Sequence, residues 1–113
     1  MRSKKHNRTA AHKRWHDAVA SLGLVISGAP AVLHHAAGAT AKHNKIEIGE
    51  WWVIPLTDEE HKALHNGETF GHESRKEFEK AAFRKVAIQL AVNGEAVEDV
   101  PDEVFDEIQD YRR

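Results

Sequence analysis

The sequence predicts an α+β fold, and three features carry that prediction. Apolar positions Ala11, Trp15, Ala18, Val19 and Leu22 recur at three- and four-residue steps between Thr9 and Leu22, which is a helix with one buried stripe. The run KIEIGEWWVIPL (45–56) first alternates and then becomes continuously apolar, as a strand does, or a hairpin turning near Gly49. Two capping-box signatures then follow, Thr57 with Glu60 and Ser74 with Glu77, each placing a hydroxyl three residues before a carboxylate at a helix start.

The remaining elements follow from local signals. Gly23 closes the first helix. LVISGAPAVLHH (24–35) reads as short extended pieces around a Gly-Ala-Pro turn, and HAAGATAKHN (35–44) as a small, polar loop. The helix opened by Thr57 carries Asp58 and Glu59 where the dipole favours acids, and Asn66-Gly67 ends it. The helix opened by Ser74 runs to about Val92 with Phe78, Ala82, Val86 and Leu90 on one face, and Asn93-Gly94 closes it. PDEVFDEIQDYRR (101–113) is a short acidic helix with Val104, Phe105, Ile108 and Tyr111 inward. Trp51 and Trp52 are core candidates, at least one of them packed against a helix.

At 113 residues the chain fits one domain with a modest core. We divide it into a basic flexible arm (1–8), a core (9–92) and an acidic C-terminal segment (95–113). With no cysteine, disulfides and thiolate zinc sites are excluded. No apolar run reaches the roughly 18 residues of a membrane span, and MRSKKHNRTAAHKRWHDAV (1–19) has no secretory-signal core. The expectation is a soluble, cytoplasmic protein. The formal net charge of -2 hides a polarity. Arg2, Lys4, Lys5, Arg8, Lys13 and Arg14 stand in an N-terminal stretch without acids, whereas Glu95, Glu98, Asp99, Asp102, Glu103, Asp106, Glu107 and Asp110 stand in a stretch without bases. The basic residues form either a DNA-following arm or a solvated terminus.

Histidine is over-represented, with nine residues and no contiguous tag-like run. His61 and His65 lie four apart on the Thr57 helix and share a face, so they can hold one cation together. Such a pair taken alone is ordinarily a surface feature. His34 and His35 are adjacent at the end of a strand, where side chains alternate between faces, and both serve one site only if the strand ends and twists there. Taken together, four imidazoles without a thiol suit zinc, nickel, manganese or, with waters, magnesium, and they allow three ligands and one base.

PLTDEEHKALH (55–65) resembles the helix motif of HNH, or ββα-metal (His-Me finger), endonucleases, with Pro55, Leu56, His61 and His65 in register. AVLHH (31–35) resembles the preceding strand of that family, in which a metal ligand is followed directly by a general-base histidine. More narrowly, the span from His12 to Phe83 is similar to phage recombination-enhancement (Ref-like) nucleases. Their pieces appear in order as Lys13-Arg14-Trp15, Leu22-Gly23, Pro30-Ala31, His34-His35, Gly38, Ile54-Pro55-Leu56, His61, Leu64-His65-Asn66-Gly67 and Phe78-Glu79. The cysteines that form a structural zinc knuckle in many relatives are missing, Leu24 to Ser27, Thr57 and Glu60 standing in their place. His34 replaces the usual aspartate ligand.

The resemblance implies a ββα-metal core flanked by an N-terminal helix and C-terminal helices. It implies that His35 activates water and that His34 and His61 hold one divalent ion, magnesium or manganese, with zinc or nickel as substitutes in a crystal. His65 would be a third ligand or a phosphate contact, and His43 with Asn44 a loop pair near the site. The implied activity is hydrolysis of DNA phosphodiesters in phage-type recombination or DNA processing, with a recombinase as a further partner. His6, His12, His16 and His72 are assigned to solvent or backbone contacts. Two alternatives stand beside the nuclease: a non-catalytic DNA-binding or packaging accessory, and a histidine-zinc protein that mediates protein contacts.

Overall fold

A computed structural model describes residues 8–22, 32–95 and 97–111. The basic arm at Arg2, Lys4 and Lys5, the Gly-Ala-Pro turn and His6 lie outside them. The chain is α+β. Its elements run α1 (Ala10–Leu22), β1 (Val32–His35), β2 (Lys42–His43), β3 (Ile46–Glu47), β4 (Val53–Leu56), α2 (Asp58–His65) and α3 (Arg75–Val92). A 3₁₀ turn at Val97–Asp99 and α4 (Asp102–Asp110) complete the described chain.

Helix α1 starts with a reciprocal cap in which a histidine takes the place of the usual glutamate. The His12 amide donates to Thr9 Oγ1 at 3.0 Å, and the Thr9 amide donates to His12 Nδ1 at 3.1 Å. His12 is therefore buried, with its ring edge-on to Trp51, rather than solvated. Trp15 and Val19 drive the same helix into the core, and Trp15 Nε1 donates to the Trp51 carbonyl at 2.8 Å. A buried indole N–H needs such a partner.

Strands β1 and β4 pair antiparallel with His34 opposite Ile54 and His35 opposite Val53. All four residues of β4 are buried, consistent with a continuously apolar strand that α1 and α3 cover. The sequence expectation of a hairpin turning at Gly49 is corrected in its pairing. β3 pairs with β2, inside the segment read as loop, through a tight turn at Asn44 and Lys45, whose φ values of 52° and 68° are the left-handed pair such turns require. Gly49 does lie in a turn, and an added Cβ would fall 2.2 Å from the Gly38 carbonyl oxygen, so only glycine fits there. That turn, closed by bonds from the Trp51 and Trp52 amides to the Ile48 carbonyl, redirects the chain into β4.

Helix α2 follows β4 after one residue. Its capping box is complete: Glu60 N–H donates to Thr57 Oγ1, and Thr57 N–H donates to Glu60 Oε1, both at 2.9 Å. Thr57→Ala is expected to cost about 1 kcal/mol in urea unfolding and to loosen the helix that carries His61 and His65. At α3 the Glu77 amide donates to Ser74 Oγ, while the Glu77 carboxylate pairs with Lys80. Val100, Val104, Ile108 and Tyr111 join the same apolar cluster as Trp15, Trp52 and Phe83, so the acidic segment is packed on the core and not merely solvated. Both Trp51 and Trp52 are buried. No helix among the described residues is long and apolar enough to cross a membrane.

Candidate metal centre

Histidines 34 and 35 leave β1 on opposite faces, as strand geometry dictates. β1 ends at His35, and the Ala36 amide still donates to the Trp52 carbonyl at 3.1 Å in the same register, so the two side chains keep their alternation. The expectation that all four imidazoles converge is thereby corrected. His34 joins His61 and His65, and His35 joins His16 and Glu50; within each trio one ligand atom per residue lies within 4.8 Å of the others.

In the first trio, β1 supplies a buried His34 and one turn of α2 supplies His61 and the exposed His65. The two α2 rings meet edge-on, with their Nε2 atoms 3.1 Å apart. Behind His34 stands Glu79 of α3, fully buried, with Oε2 2.6 Å from His34 Nε2. His34 Nε2–H donates to that carboxylate, which leaves Nδ1 as the ring's lone pair. A carboxylate behind an imidazole is the arrangement that orients histidine ligands and raises their basicity.

Lys76 donates to Glu79 Oε1 at 2.9 Å and to the Ala36 carbonyl at 2.6 Å, and Arg75 Nε lies 3.3 Å from Glu79 Oε2. Burial pushes the Glu79 carboxyl up, but the hydrogen bonds from His34 and Lys76, with their charges, bring it below the usual value. Glu79 is therefore an anion at neutral pH. Burial, and then the neighbouring His34, His65 and Arg75, lower the His61 pKa against the pull of Asp58, which favours the neutral ring that a cation needs. Three imidazoles with an acidic backing and one exposed member fit a divalent ion of zinc, nickel or manganese type.

In the second trio, Glu50 is almost wholly buried in the Gly49 turn. Its Oε1 lies 3.1 Å from His35 Nε2, 3.2 Å from Arg8 Nε and 3.5 Å from His16 Nε2. His16 Nε2 also lies 2.6 Å from the Glu50 carbonyl oxygen. His16 thus makes the backbone contact expected of it, but it is buried and stands beside His35, with ring centroids 5.4 Å apart. His72, by contrast, is exposed.

His43 and Asn44 belong to neither trio. Both reach Glu107 of α4, at 2.7 and 2.9 Å, and fasten the β2–β3 turn to the C-terminal helix. Among the basic residues, Lys13 is exposed. Arg8 is engaged with Glu50, and Arg14 grips both oxygens of Asp99 at 3.0 Å. The Arg14 hydrogen bond, reinforced by its charge, holds the Asp99 carboxyl below its ordinary 3.8. A lowered carboxyl pKa stabilises the fold above that ordinary value, and the contribution is lost as pH falls through the folded-state pKa. Melting curves of wild type and Asp99→Asn should therefore differ near neutral pH and converge only after the pH has fallen through the lowered Asp99 pKa, below the ordinary 3.8.

Sequence reasoning missed Glu79 and Glu50, and it missed Arg75 and Lys76 beside them. Glu79 carried one usable signal: it falls in the stripe of Phe83, Val86 and Leu90 on α3, where an acid has no place unless it is paired. No protein-family model, curated protein or solved structure matches the chain.

Proposed function

We propose that this chain is a metal-dependent endonuclease of the HNH type that hydrolyses DNA phosphodiesters. The observation that carries the proposal is the convergence of His34, His61 and His65 from β1 and α2, with His35 as the next residue on the strand. Two antiparallel strands followed at once by a histidine-bearing helix is the order expected of a ββα-metal core. His35 leaves the other face of β1 at the strand's last position, so it serves the same phosphodiester where the substrate crosses that end of the strand.

In this reading His34, His61 and His65 hold the ion and Glu79 fixes the His34 ring. A bound divalent ion supplies charge stabilisation to the phosphate and the leaving oxygen. His35 takes the proton of the attacking water as general base. Arg75, which faces the trio from the first turn of α3, is placed to meet phosphate charge.

The exposure of His65 and the presence of only three ligating side chains in this group among the described residues favour an open site over a closed structural one. The proposal is tested by incubating the chain with supercoiled plasmid. Nicked product is expected only when a divalent ion is present, and binding without any cleavage would support the DNA-binding accessory instead. In calorimetric titration with manganese or zinc, His61→Ala should bind more weakly than His72→Ala, and equal affinities would remove His61 from the ligand set.

A further inference from the structure

The second trio is the strongest feature that the metal centre leaves unused. A carboxylate as buried as that of Glu50 is costly unless donors surround it. Here Arg8 and His35 donate to Oε1, and His16 stands 3.5 Å from it. We propose that Glu50 is a positioning residue that fixes the ring and the protonated nitrogen of His35. The inference rests on the reading of His35 as the base.

The geometry assigns each proton. Glu50 Oε1 can only accept from His35 Nε2 at 3.1 Å, so Nε2 carries the hydrogen and the lone pair lies on Nδ1. The 2.6 Å contact of His16 Nε2 with the Glu50 carbonyl oxygen makes that nitrogen a donor too. A nitrogen spent as a donor is not a metal ligand, and the Arg8 guanidinium on the same carboxylate oxygen opposes a second cation. The trio is therefore a hydrogen-bonded support and not a second metal site, although its composition of two histidines and one carboxylate suits a metal.

The support is rigid at its base. The Gly49 turn packs directly on the Gly38 and Ala39 carbonyls, and the amides of Ile48 and Gly49 both donate to the Ala41 carbonyl. His35 itself is only about one-quarter exposed, with side-chain exposure of 24%. Glu50 determines which of the His35 ring nitrogens keeps the lone pair.

The test is long-range proton–nitrogen correlation spectroscopy of the full chain carrying isotope-labelled histidine, which needs no cleavage activity. Wild type should show a slowly exchanging His35 Nε2–H resonance, shifted downfield by the carboxylate. Glu50→Ala should lose it while far-ultraviolet circular dichroism is kept, and plasmid nicking should slow by about 10- to 100-fold through kcat, with KM little changed. If Glu50→Ala does not fold, Glu50→Asp keeps the charge, withdraws the carboxylate by one methylene, and should weaken the same resonance.

An Nδ1–H form in wild type, or an Nε2–H resonance untouched in the folded Glu50 variant, overturns the proposal. So does zinc that shifts His16 and His35 together in His61→Ala, because it would make the trio an ion site. A chain that never cleaves DNA but shows the expected spectra overturns the catalytic reading of His35 and leaves the Glu50 contact standing.

Discussion

His35→Ala should lower the rate of plasmid nicking by about 10²- to 10⁴-fold, the range that one positioned acid–base group contributes. Its metal affinity should remain that of wild type, because His35 lies on the opposite face of β1 from His34, His61 and His65. Folding should also survive. His35 is half-buried, and its loss leaves the Glu50 carboxylate with the Arg8 donor and the Glu50 carbonyl with His16. Cleavage by this variant at the wild-type rate would take the base role away from His35.

Glu79→Ala should have the largest combined effect on stability and binding. It removes the acceptor of His34 at 2.6 Å and of Lys76 at 2.9 Å from a fully buried position on α3. Breaking hydrogen bonds to a buried charge costs about 2–3 kcal/mol. Here Arg75 and Lys76 can turn partly to water, which holds the loss toward the lower figure.

The same change frees the His34 ring, and metal affinity should fall about 10- to 100-fold. Glu79→Gln keeps an oxygen of similar reach and should recover part of both. Urea unfolding and calorimetric titration of the two variants check this. An alanine variant with native metal affinity would mean that His34 is held by β1 alone.

Much of this was legible in the chain because it is written locally. The helix α1 stripe, the Thr57 capping box and the apolar positions of α4 are patterns within one or two turns, and each element lies where its pattern placed it. His61 and His65 were legible for the same reason, a four-residue spacing that survives in the folded helix. The β2–β3 ladder was not, because strands of two residues are too short to carry an alternation.

The separation of His34 from His35 could not be decided locally either. It depends on whether the pairing register holds through His35, and the bond from the Ala36 amide to the carbonyl of Trp52, just before β4, decides that from a distant part of the chain. The acidic partners are more remote still. Glu79 is 45 residues from His34 and Glu50 is 15 from His35, distances at which no periodicity operates. Arg14 shows the converse: a residue whose charge reads as DNA-facing is held by Asp99, 85 positions away.

The most direct test of the central claim measures manganese affinity and supercoiled-plasmid nicking on the same preparations of wild type, His35→Ala and His61→Ala. The account predicts that wild type binds and nicks, that His35→Ala binds without nicking, and that His61→Ala loses both, with chelator abolishing wild-type cleavage. Nicking that persists in chelator, or metal binding untouched by His61→Ala, would contradict it.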